Sequence, residues 1–400
     1  MAFSMPKPLD GVTVLDLTRV LAGPYCGQML GDFGANVIKV EHPTRGDDSR
    51  AWQPPALAGE SAYYISANRN KRSITLNLQH PAGADVLRKL AAQADILMEN
   101  FKLGGLDAMG LGYESLRKIN PRLVYCSITG YGRGSPYEDR PGYDFMIQAQ
   151  SGLMSITGEP DGEPQKYGIA VVDMTTGLYA CSAILAALRE RDRSGEGQLV
   201  ELSLMDSAIA LLVNQASSYL VAGTIPKRYG NAHAVVVPYQ TFRAKDRHFA
   251  LAVGNDLQFR TMAELIGRPE MGTDERFATN PARIANRDQL IPAMAEVFAT
   301  READHWLGLF NKAGIPAGPI NTIPQMLEDP HTAAHHMTVT LPHPTGGEVR
   351  LLAPPYKLSK TPATVERHPP LLGEHTEEVL RERLGLTDAD IAELRSAGAI

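Results

Sequence analysis

The segment Gly168 to Ala180 (GIAVVDMTTGLYA) sets one carboxylate, Asp173, between a β-branched run and a helical pattern. The pattern places Asp173 at the N-cap of a helix over 174–189, where a carboxylate contributes on the order of 1 kcal/mol by capping. The same placement can keep the carboxylate ionised at the helix N-terminus and present it to a cleft at a strand end. An ionised Asp can attack an activated acyl group. Position alone leaves both readings open.

Other chemistry-bearing groups carry weaker signals. Asn68 to Arg72 (NRNKR) puts three cations into four positions just before a strand. Such a run is ordinarily a solvated charged face, although Arg and Lys at a sheet edge also suit phosphoryl oxygens. Gly130 to Gly134 (GYGRG) follows a strand, but Pro136 comes soon after it. The spacing, the missing helix and the missing acidic partner all argue against a dinucleotide loop. A tight turn bringing Arg133 or backbone amides near a ligand is the better reading. His331 and His335 stand four apart with His336 beside them, without the Cys or Glu that a zinc site would add. Cys26, Cys126 and Cys181 are widely spaced, and no C-x-x-C pair is present. They read as small buried hydrophobes in a reducing compartment. The chain has no G-x-S-x-G elbow and no Walker A loop, so the lone carboxylate gains standing.

The elements that must position these groups alternate. Strands are expected at 12–17, 36–40, 73–78, 95–98 and 123–129, with helices at 28–33, 82–93 and 113–119. This is repeated β-α-β, hence an α/β fold with a largely parallel sheet covered by helices on both faces. Beyond it come the 174–189 helix, a strand at 198–204 and a helix at 206–220. The turn-rich stretch 224–239 changes character, and strands at 241–242 and 249–253 with amphipathic helices follow. A linker and hairpin are expected at 342–355, and a closing helical segment at 376–397. We therefore expect a large domain from 1–222 and 330–400, and a small α+β domain from 223–329.

Composition fits this picture. The chain is 44% apolar and 21% charged, as in ordinary globular proteins. A net charge of -6 gives no reason to expect nucleic acid or an anionic membrane as partner. No run reaches the roughly 18 residues of a membrane span. The start lacks the basic and apolar regions of a signal peptide, so cytoplasm is the expected location.

Several motifs in order resemble the class III (CaiB/BaiF) CoA-transferases. They are Val14 to Arg19 with Ala22-Gly23-Pro24, Gly34 to Glu41, and Asn70 to Ile74. Glu99-Asn100-Phe101, Ser127 to Gly132, Gly142-Tyr143-Asp144, Asp173 and Gly195 to Gln198 continue the likeness. The resemblance implies a large Rossmann-like CoA-binding domain, a smaller domain and an interlocked homodimer. It implies Asp173 as catalytic nucleophile, coenzyme A as substrate, and no metal or redox cofactor. It further implies CoA contacts at Arg19, Leu21, Ala22, His42, Arg72, Leu76, Asn77, Asn100, Phe101, Lys102, Met109 and Tyr143. Relative to the formyl-CoA:oxalate transferases, Leu21 replaces a glutamine, while His42 and Ala108 replace arginines. Gly254-Asn255 stands near the place of their glycine-rich lid without the glycine run.

The sibling racemases carry a histidine where this chain has Tyr143, and a tyrosine is a poor base at pH 7. The segments 125–132, 151–158, 238–240 and 313–321 are closer to members that use succinyl-CoA and dicarboxylates such as glutarate. Arg19, Arg228, Asn231 and His233 are candidates to meet a second carboxylate. The expected activity is CoA transfer from succinyl-CoA to a dicarboxylate. A 2-methylacyl-CoA racemase-like isomerase and a non-catalytic acyl-CoA-binding protein are the alternatives.

Overall fold

A computed structural model describes residues 7–400. The chain forms two compact units, one of residues up to 153 with 167–214 and 331–400, the other of 154–166 and 215–330. The seam expected at 222/223 thus lies at 214/215, and the short segment 154–166 belongs with the smaller unit.

The large unit is built on six parallel strands: β1 (Thr13–Asp16), β2 (Asn36–Glu41), β3 (Lys71–Thr75), β4 (Ile96–Glu99), β5 (Val124–Thr129) and β6 (Leu199–Ser203). Their order is β3-β2-β1-β4-β5-β6. β1 and β4 are buried at every position, as parallel strands covered on both faces are, and each ends on a buried acid, Asp16 and Glu99. Successive side chains still part to opposite faces: Val14 joins one core and Leu15 the other.

Four helices matter for the site: α1 (Ala22–Asp32), α2 (Pro81–Ala91), α3 (Asp144–Gln150) and α4 (Val171–Ser194). α1 and α4 cover the Val14 face through Cys26, Leu30, Ala180 and Ile184, and α2 covers the Leu15 face through Leu87 and Leu90. α1 and α4 pack so closely that a Cβ on Gly177 would stand 2.7 Å from the Ala22 carbonyl oxygen. All three cysteines are buried and unpaired, as expected.

The smaller unit has a three-stranded antiparallel sheet, β7 (Tyr239–Arg243), β8 (His248–Ala252) and β9 (Ala317–Pro319), in the order β9-β8-β7. Its core is a cluster of aromatics, Phe242, Phe249, Phe259, Phe298, Trp306 and Phe310. Asn255 caps the helix Asp256–Leu265, and the Gly254 N–H donates to Gln258 Oε1.

Local chemistry moved several boundaries. The helix expected at 206–220 is two, Leu204–Ala210 and Val213–Ala222, with Val213 at φ 30° in the break. Ser203 starts the first by accepting from the Asp206 N–H. The closing segment is also two helices, Thr376–Leu384 and Asp388–Ser396, parted by Gly385 in the left-handed region. The hairpin pairs Thr338–His343 with Gly347–Leu352.

The NRNKR run is not a solvated face. Arg69, Lys71 and Arg72 are all buried and paired with acids. Arg69 binds Asp32 at 2.6 Å and Lys71 binds Asp16 at 2.9 Å. Arg72 binds Glu378 and Glu382 at 2.8 and 2.6 Å. Buried cations need such partners, because desolvation would otherwise cost several kcal/mol each.

Candidate active site

β1 and β4 lie side by side, but the sheet continues from β1 toward β2 and from β4 toward β5. Crevices at the carboxyl ends of strands at such a switch point are where α/β sheets bind ligands. A cavity of about 410 Å³ opens there, walled by the turn after β1, the turn after β4 and the loop after β5.

Eight of the expected site residues meet in it: Arg19, Leu21, Ala22, Asn100, Phe101, Lys102, Tyr143 and Asp173. Asp173 is more than nine-tenths buried. Tyr143 is largely exposed at the N-cap of α3. The Arg19 guanidinium pairs with Asp48 at 2.9 Å and lies 5.5 Å from the centre of the Phe101 ring. The Asn100 amide is engaged by the Arg19 backbone, accepting its N–H at 2.9 Å and donating to its carbonyl at 2.8 Å.

The other expected residues lie elsewhere. Arg72 lies outside the cavity lining, its guanidinium bound by Glu378 and Glu382. Leu76 is buried in the core under α2. Asn77 fastens the C-terminal end, its N–H donating to the Ala399 carbonyl at 2.8 Å. Met109 packs against the α2-side core, and its carbonyl accepts from Arg88. His42 follows β2, with its ring against Thr44.

Arg133 also departs from expectation. It turns to Glu201 on β6 at 3.1 Å, beside a second cavity. Arg228, in the smaller unit, donates to the carbonyls of Glu159, Pro160 and Gly162. His331 and His335 stack with ring centroids 4.2 Å apart, and no metal-binding cluster occurs among the described residues.

Asp173 itself sits one turn from where it was expected. α4 begins at Val171, so Asp173 is its third residue and not its cap. The cap comes from Asp144 on α3, whose Oδ1 accepts the N–H groups of Val172 at 2.8 Å and Asp173 at 3.2 Å. Asp144 thereby occupies the anion position at the helix N-terminus. Burial first, and the Asp144 charge second, push the Asp173 carboxyl up to about 7. The carboxylate expected to be held ionised is thus poised between its two forms near neutrality. Among the described residues no hydrogen bond reaches its oxygens. Tyr63 is close enough for burial and the Asp173 charge to push its phenol up to about 12.

Sequence reasoning missed three contributors. Asp144 adjoins Tyr143 in the Gly-Tyr-Asp step, which was read for the tyrosine alone. Arg140 adds a cation to the cavity wall, lying 4.2 Å over the Tyr137 ring. Gly130 and Gly142 meet backbone to backbone: a Cβ on Gly130 would fall 2.7 Å from the Gly142 Cα. That clasp sets where Tyr143 and Asp144 emerge.

A parallel sheet with a carboxyl buried at its switch-point cavity defines an α/β protein with an enclosed ligand site. The chain belongs to CoA-transferase family III, whose pattern it matches over residues 9–376. It is 44% identical to the human succinyl-CoA:glutarate CoA-transferase, over 98% of this chain and 90% of that protein. It is 47% identical to the succinate–glutarate CoA-transferase of Agrobacterium fabrum, over 94% and 95%. A CAIB/BAIF family protein from Brucella suis superimposes with a TM-score of 0.85 at 47% identity, covering 94% of this chain and all of that one.

Proposed function

We propose that this enzyme moves coenzyme A from succinyl-CoA to a dicarboxylate acceptor through covalent intermediates on Asp173. The buried carboxyl opening into the switch-point cavity is the observation that carries the reading. Ionised Asp173 attacks the thioester carbonyl, and CoA leaves as thiolate from an aspartyl-succinyl anhydride. The thiolate then attacks the aspartyl carbonyl, releasing succinate and leaving an aspartyl-CoA thioester. The acceptor carboxylate displaces the thiolate to form a second anhydride. Thiolate attack on its acceptor carbonyl gives the new thioester and restores Asp173. Four easier displacements replace one difficult exchange.

The pocket's electrostatics support this route. A site that penalises charge on Asp173 raises the energy of the carboxylate but not of a neutral anhydride or thioester. Arg19, Lys102 and Arg140 are the cations available on the cavity wall for the phosphates of CoA or the second carboxylate of an acid. Tyr143 in place of a histidine disfavours the racemase reading.

The assembly we propose is an interlocked homodimer. In support, no residue of helix Val213–Ala222 is buried within the chain, and Leu220 and Val221 are 79% and 86% exposed. Sedimentation at micromolar concentration tests the stoichiometry. Cytoplasm is the proposed location, which suits three unpaired thiols.

The deciding experiment is exchange of labelled succinate into succinyl-CoA by the purified protein, followed by a screen of acceptor acids. Asp173→Ala should abolish exchange, and an active Asp173→Ala protein would refute the nucleophile.

A further inference from the structure

The turn from β1 to α1 supplies one wall of the cavity, and its backbone is held in an unusual way. Val20 has φ 73°. A β-branched residue occupies that left-handed region only under constraint. The constraint is visible as side chains, one from the end of β1 and three from other segments, gripping successive backbone groups. Asp16 Oδ1 accepts the Thr18 N–H at 3.0 Å, and Lys39 Nζ donates to the Thr18 carbonyl at 2.8 Å. Asn100 takes both backbone groups of Arg19. Asp47 Oδ1 accepts the Val20 N–H at 3.1 Å.

The grip is anchored by two charges. Asp47 Oδ2 lies 2.9 Å from Lys39 Nζ, and neither side chain has any solvent exposure. Ser49 adds its N–H and hydroxyl to Asp47, and the Asp47 N–H is held by Glu41. A mere connection between strand and helix would need none of this. Glycine at position 20 would adopt the same φ without strain, and a buried ion pair is seldom a net gain in stability. Strain and buried charge are instead concentrated at the cavity wall, where α1 starts without a side-chain cap.

We propose that the Asp47–Lys39 pair is a positioning device for acyl transfer. By locking Val20 in its left-handed conformation, it fixes Arg19, Leu21 and Ala22 relative to Asp173. The reacting carbonyl is then held in line with the carboxylate. The inference rests on the CoA-transfer reading for its catalytic part and on the turn geometry for the rest.

The test uses the full-length protein. Val20→Gly frees the turn without touching a charge, and it should keep or raise the melting temperature. Its kcat should fall about tenfold, since small misplacements of reacting groups have large kinetic effects. Val20→Asn, which tolerates the left-handed region, should recover at least about fivefold of that loss. Asp47→Asn keeps the acceptor but removes the charge. It should speed amide hydrogen exchange over residues 17–24 by at least about tenfold, measured without substrate, and lower kcat more than it changes KM. If Val20→Gly and Asp47→Asn both retain kcat within about twofold, the proposal is overturned. It is equally overturned if activity is lost only in proportion to folded protein. A wild-type protein inactive with every CoA donor would instead defeat the CoA-transfer reading, and the exchange data would still decide the turn.

Discussion

Replacing Asp173 by asparagine should stabilise this protein, and by an amount that depends on pH. The carboxyl is buried and faces Asp144, so its folded value stands near 7 against an ordinary 3.8. A raised carboxyl favours the folded state fully below the unfolded value, and that contribution is lost as pH rises through about 7. At about 1.36 kcal/mol per pH unit, the gap amounts to about 4 kcal/mol at pH 8. At pH 5 the unfolded carboxyl is ionised while the folded one is not yet, and the same arithmetic leaves about 2 kcal/mol. Asparagine has the same shape and no charge, so it escapes the penalty at every pH. Urea unfolding of wild type and Asp173→Asn, at one protein concentration, should show a gain that grows by about 2 kcal/mol between pH 5 and pH 8. An equal gain at both values, or a loss at pH 8, would show that Asp173 is not carrying an unfavourable charge. The account of its reactivity would then fail with it.

Four further outcomes follow from the same geometry. Asp144→Asn keeps the acceptor for α4 but removes the neighbouring charge, so the acid limb of kcat/KM should move to lower pH. Asp144→Ala should in addition cost about 1 kcal/mol of stability through the lost cap, read as a lower urea midpoint. Gly177→Ala presses a Cβ onto the Ala22 carbonyl and should cost about 1–3 kcal/mol, seen as a lower melting temperature. Arg72→Gln should lower the melting temperature while leaving the calorimetric Kd for CoA within about twofold on the folded protein. A large loss of CoA affinity would return Arg72 to the binding site.

The strands of the large unit could be read from sequence because short β-branched and apolar clusters alternate with helical patterns, and β1, β2, β4 and β5 all fall within a residue or two of expectation. Position alone left Asp173 open between a helix cap and a nucleophile, and the resemblance to the class III CoA-transferases is what singled it out. Its electrostatic setting could not be read from sequence, because the group that caps α4 and raises Asp173 lies 29 residues upstream on another helix. The NRNKR run misled for the same reason. Its partners, Asp16, Asp32, Glu378 and Glu382, are brought to it only by the fold. Val20 gave no local sign of its left-handed backbone, since the residues that enforce it come from three other segments. Contacts within a turn or a strand leave a pattern in sequence, and pairings between distant segments do not.

The clasp of Gly130 against Gly142 separates two tasks that neighbouring residues would otherwise share. Residues 131–141 form the loop between the two glycines, anchored by the buried Tyr131 ring against Tyr137 and carrying Arg140. Changes of length or character in the part of that loop beyond Tyr131 can reshape the mouth of the cavity while the clasp keeps Tyr143 and Asp144 in place. The loop is thus free to vary while the cap on α4, and with it the setting of Asp173, stays fixed.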